Sequence, residues 1–153
     1  MQKIKGPAIF LAQFIRDEAP FNDIKAISKW AAGLGYKGIQ IPTWDDRAID
    51  LDTAAESKNY CDEYLGMLKD IGIEVVDLGS YLQGQCLAFH LAYAEGFSAF
   101  HPDGLRGTEV TEWAADQLRK SVKAAVNLGV KNISVMSGGF LWHMIYPWPQ
   151  RPD

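Results

Sequence analysis

Leu34-Gly35-Tyr36, running into Gly38-Ile39-Gln40-Ile41, decides the fold of this chain, because the same phrase is written three times. The second copy is Ile71-Gly72-Ile73, leading into Glu74-Val75-Val76-Asp77-Leu78. The third is Leu128-Gly129-Val130, leading into Asn132-Ile133-Ser134-Val135-Met136. In each, a helical run ends at a glycine that can take the left-handed turn closing a helix. A short apolar run follows at once, of the kind that forms a buried strand. Helix feeding strand in repeated units is the pattern of a parallel sheet with helical crossovers.

Working outward, the spacing predicts strands at 8–12, 38–42, 73–79 and 132–137. Helices are expected at 23–34, 53–71 and 108–128. Asn22 is the expected N-cap of the first, and Ile24, Ile27, Trp30, Ala31 and Leu34 form its apolar face. Thr53-Ala54-Ala55-Glu56 reads as a capping box opening the second. Val110, Ala114, Leu118, Val122 and Ala125 form the apolar face of the third. Residues 80–107 read as a long aromatic loop, and loops of that length are usually functional. The fold class is therefore α/β, with four parallel strands and three helices.

Two architectures fit that count: a small doubly wound sheet, or the first half of an eight-stranded barrel. A Rossmann sheet needs a glycine-rich turn after its first strand, and residues 13–22 contain no glycine. The literal G-x-G-x-x-G at Gly33, Gly35 and Gly38 runs from helix into strand, the reverse of what phosphate binding requires. Barrels need about 250 residues, so in that architecture 153 residues make a half-barrel whose first and fourth strands are unpaired edges.

Composition narrows the function classes. Hydrophobic residues make up 48% and charged residues 22%, with a formal net charge of −4. No basic cluster of the kind that binds phosphate backbones is present, so no nucleic-acid partner is expected. No apolar run approaches a membrane span, so no membrane partner is expected either. Two cysteines, Cys61 and Cys86, make no disulfide framework and point to a reducing, cytoplasmic setting.

Ligands of parallel α/β folds sit at the carboxyl ends of the strands. Trp44 there is a candidate wall for a sugar face. Gln83 and Gln85 carry amides that both donate and accept, which suits hydroxyl-rich ligands. His90 is a candidate substrate or proton-transfer group, His101 reads as a surface turn residue, and Trp142 and His143, after the last strand, are candidate substrate contacts. Asp45-Asp46-Arg47 reads as a solvated loop. No nucleophilic triad or metal-ligand spacing appears, so no catalytic residue is assigned.

Several stretches, taken in order, resemble the sugar phosphate isomerase/epimerase family with the xylose-isomerase-like TIM barrel. They are Pro42-Thr43-Trp44-Asp45, Leu82-Gln83-Gly84-Gln85, Ala88-Phe89-His90 with Ala92-Tyr93, Glu112-Trp113-Ala114, and Tyr146-Pro147-Trp148-Pro149-Gln150-Arg151-Pro152. The resemblance implies a partial TIM-barrel domain over 1–153 whose C-terminal half is absent. It implies proton transfer next to a carbonyl on a sugar or polyol-derived substrate, assisted by a divalent metal such as Mn, Mg, Zn or Co. The family's ligands, two Glu with Asp and His, lie on later strands, so no metal is expected in this chain alone and it is expected to be inactive by itself. The sequence departs from the family at Tyr81, where relatives carry His, and at Leu91 and Ala94, where they carry Pro and Asp. Two alternatives stand beside this reading: a non-catalytic half-barrel that assembles with a second copy or another chain, and an apurinic-endonuclease-type barrel.

Overall fold

A computed structural model describes residues 6–141 of the chain. The thrice-written junction folds the same way each time. Tyr36, Ile73 and Val130 donate their N–H groups to the carbonyls of Ala31, Leu68 and Ala125, five residues back. Gly35, Gly72 and Gly129 donate to Ala32, Lys69 and Val126, three residues back. This double bond pattern is the Schellman motif, and the three glycines hold φ of 93°, 82° and 68°, where a Cβ would be strained.

Strands β1 (Ala8–Phe10), β2 (Gly38–Pro42), β3 (Glu74–Ser80) and β4 (Ile133–Val135) form one parallel sheet in the order β1-β2-β3-β4. Ile9 pairs with Ile39 and Ile41 with Leu78, and Leu78 N–H donates to the Asn132 carbonyl at 3.2 Å. A register shift after Ile39 makes Val76 an extra residue, so Asp77 stands opposite Gln40.

Among the described residues there are six α-helices where three were expected. Helix α1 (Ile24–Gly33) starts one residue later than the Asn22 cap predicts. Asp23 is its N-cap, and its carboxylate accepts from Ala26 N–H at 2.7 Å. The expected 53–71 helix is two, α2 (Leu51–Glu56) and α3 (Lys58–Ile71), broken at Ser57. Ser57 is extended, and its hydroxyl accepts from Tyr60 N–H, so it starts a new helix rather than continuing the old one. The Thr53 capping box does not form. Asp50 caps α2 instead, accepting from both the backbone and the hydroxyl of Thr53.

The region expected to be one long loop holds α4 (Tyr81–Gln85), α5 (Ala94–Phe97) and two 3₁₀ turns at Leu91–Tyr93 and Ser98–Phe100. Aromatic packing organises it: Phe89 stacks on Phe97 at 5.1 Å, and Phe97 meets Phe100 edge-on at 5.8 Å. Helix α6 (Thr108–Leu128) matches the expected span, but Val122 faces out at 54% exposed. The buried stripe runs instead through Ser121, Ala124, Ala125 and Leu128, which keeps the 3.6-residue period.

The chain forms two compact units, one with residues up to Gly79 plus Lys120–Ser134, the other with Ser80–Arg119 and the chain from Val135. In the first, Ile9, Ile39, Ile41, Val75, Leu78 and Ile133 join a single core with Ile27 and Ala31 of α1, Ala54 of α2, Leu68 of α3 and Ala124 of α6. The second has its own small core of Cys86, Phe89, Phe97, Val110 and Ala114.

Candidate functional site

In the first unit, the end of β2 is pinned from both sides. Thr43 is buried. Its N–H and its hydroxyl both donate to the Gly79 carbonyl at 2.9 and 3.2 Å, and Ser121 donates to its Oγ1 at 3.4 Å. Trp44 follows, half-buried, with its ring edge-on to Phe10 at 6.2 Å. Asp45 is engaged rather than free, since Arg47 donates Nε and Nη2 to its two oxygens and Nη1 to Asp17. Those bonds hold the Asp45 carboxyl below the usual carboxylate range. Asp46 and Arg47 are exposed, as a solvated loop requires, but Arg47 ties the loop to Asp45 and Asp17.

The same unit contains a polar seam that the strand-end reasoning missed. Alternation along the strands sends the isoleucines into the helix-packed core and leaves Gln40 of β2, Asp77 of β3 and Ser134 of β4 together. Asp77 Oδ2 accepts from Gln40 Nε2 and, at 2.6 Å, from Ser134 Oγ. Its other oxygen, Oδ1, is buried without a hydrogen-bond partner among the described residues. The available signal was a polar residue at the middle of three consecutive strands. The bulge at Val76, which aligns Asp77 with Gln40, carries no sequence mark.

In the second unit, α4 follows directly from β3 and holds both glutamines. Gln83 and Gln85 are buried, at 2% and 5% exposed, and Gln85 Oε1 has no hydrogen-bond partner among the described residues. Gly84 between them lies against the chain after β4, where an added Cβ would stand 2.0 Å from the Met136 carbonyl oxygen. Gly138, at φ 67°, closes on the same turn, and Gly139 N–H donates to the Ala88 carbonyl at 2.7 Å. The two strand-end segments of this unit are thus packed backbone to backbone beside a buried amide.

His90 is exposed, and its Nδ1 accepts from Ala92 N–H at 3.2 Å, which fixes the ring as the cap of the first 3₁₀ turn. Gln83, Gln85 and His90 belong to the second unit and Trp44 to the first. Trp142 and His143 lie outside the described residues. Burial raises both thiols, Cys86 to about 11, so neither is a thiolate nucleophile near neutral pH.

Among the described residues no three His, Cys, Asp or Glu side chains gather to hold a metal ion. Asp77 has only an amide and a hydroxyl beside it, which is not the carboxylate and imidazole set the resemblance implies, and no chemical step is derived through a metal here. Among the described residues no helix is long and apolar enough to cross a membrane. No known family model and no curated protein matches the chain.

Proposed function

We propose that this chain forms the N-terminal β/α units of a (β/α)8 barrel of the sugar phosphate isomerase/epimerase kind. The observation that carries the reading is the uninterrupted strand order β1-β2-β3-β4 with α1, α3 and α6 packed into one core. A doubly wound sheet reverses its strand order at a switch point and places helices on both faces. A barrel adds every strand on the same side and keeps its helices outside. The Gln40–Asp77–Ser134 seam supports the same reading, because a polar contact on the second face of a sheet suits a barrel interior.

In this reading the chain supplies substrate-facing groups. Trp44 offers a flat apolar surface to a sugar ring. The carboxylate base for proton abstraction next to the carbonyl, and the residues that would hold a divalent metal, would come from strands beyond β4. The test is titration of the 153-residue chain with a panel of ketoses and inososes, followed by NMR. Weak binding is expected, reduced about tenfold by Trp44→Ala, with no turnover in the presence of Mn, Mg, Zn or Co ions. Absence of binding across the panel, or turnover by the chain alone, overturns the assignment.

The second reading, a half-barrel that pairs with another copy through its strand edges, is favoured by one feature. Val135 at the end of β4 and the adjoining Met136 are 42% and 44% exposed, beside a terminal strand of the sheet. Sedimentation equilibrium distinguishes the two: a concentration-dependent dimer supports pairing and a clean monomer excludes it.

A further inference from the structure

The second unit contains a cavity that the isomerase reading does not use. Its volume is about 290 Å³, at the lower end of the roughly 300–1,000 Å³ typical of small-molecule sites. Buried Phe89 and Val110, with Leu105, give it an apolar floor. Ser98, whose hydroxyl donates to the Glu95 carbonyl at 2.7 Å, also lines it, and Glu95, His101 and Arg106 supply the remaining polar side chains.

These three are chemically uncommitted in a specific way. The Arg106 guanidinium donates Nη1 to the Leu105 carbonyl at 2.7 Å and makes no ion pair among the described residues. Glu95 makes none either. The His101 Nδ1 lies 2.9 Å from the Pro102 carbonyl, which can only accept. The cavity thus offers a guanidinium, a carboxylate and an apolar floor. Gly107 and Val110 also line it at the start of α6, where the Glu109 carboxylate already accepts the Arg106 N–H at 3.0 Å.

We propose that this cavity binds a small zwitterion of the α-amino acid class with an apolar side chain. The carboxylate meets Arg106. The ammonium meets the Glu95 carboxylate. The side chain lies on Phe89, Leu105 and Val110. A plain anion would face Glu95 and a plain cation would face Arg106, so a ligand with both charges matches both charged groups of the lining. The proposal is independent of the barrel reading.

Phenylalanine, 3-phenylpropionate and phenethylamine, titrated separately and followed by NMR, test it. Phenylalanine is expected to bind best, each single-charge analogue being about tenfold weaker or more. Arg106→Met should lower phenylalanine affinity by about the same factor while leaving phenethylamine unchanged. Glu95→Gln should bring phenylalanine and 3-phenylpropionate to equal affinity. Both side chains are exposed, and thermal unfolding of each variant checks that the fold is kept. No binding of phenylalanine, equal binding of all three ligands, or insensitivity to both substitutions overturns the proposal.

Discussion

Replacing Asp77 with alanine removes the acceptor for two hydrogen bonds, from Gln40 and from Ser134. Hydrogen bonds to a charged group contribute about 1.5–3 kcal/mol each. The seam is only half-buried, so water replaces part of that loss and the lower end of the range applies. In the opposite direction, the substitution relieves the buried Oδ1, whose lack of a partner costs about 1–3 kcal/mol. The balance is a destabilisation of about 0–2 kcal/mol for Asp77→Ala. Asp77→Asn should lose about half as much, since its one carbonyl oxygen still accepts both bonds but without charge. Urea unfolding followed by circular dichroism measures these values. A double-mutant cycle with Ser134→Ala should give a coupling of about 1 kcal/mol or more. An additive cycle would refute the claim that the seam ties three strands together.

Gly84→Ala drives a Cβ into the Met136 carbonyl, so backbone must move and the loss should reach about 1–3 kcal/mol or more in the same unfolding assay. Asp50→Ala deletes the α2 cap and should cost about 1 kcal/mol. Arg47 lowers the Asp45 carboxyl and Thr53 that of Asp50. Their stabilisation is therefore complete above the unfolded-state value of about 4 and is lost as pH falls through the lower folded-state values. Unfolding free energy should be flat from neutral pH to about 5 and decline below about 4. The raised thiols reverse the sign: their contribution is full below the unfolded value of about 8.5 and disappears as pH rises toward about 11 for Cys86. Ellman's reagent at pH 8 should accordingly label neither cysteine in the native chain and both, Cys61 and Cys86, in denaturant.

The fold was legible where a residue type has one structural use. Gly35, Gly72 and Gly129 could be placed because a left-handed helix ending strongly favours glycine, and all three take it. The same logic disposed of Gly33, Gly35 and Gly38 as a phosphate motif, since Gly33 ends α1 and Gly38 begins β2. Helix α6 was legible from its long period. Boundaries set by competition between neighbours were not. Asn22 and Asp23 are equally good caps by type, and only the folded geometry selects Asp23. Ser57 suits a helix interior or a break, and the break wins. At the candidate site, the amide chemistry of Gln83 and Gln85 was readable from their type, but not their burial, which follows from the close approach of Gly84 to Met136. The contact of Asp77 with Gln40 depends on a bulge that strand alternation cannot anticipate. His101, read as a surface turn, lines a cavity because the aromatic residues around it form a core.

The measurement closest to the central claim compares the 153-residue chain with the same chain followed by four further β/α units bearing Glu, Asp and His at their strand ends. Both are incubated in D₂O with a divalent metal and a ketose or inosose panel, and deuterium entering next to the carbonyl is read by NMR. The account predicts exchange only in the longer chain, reduced there by Trp44→Ala. Exchange catalysed by the 153-residue chain alone, or by the longer chain with no dependence on Trp44, would contradict it.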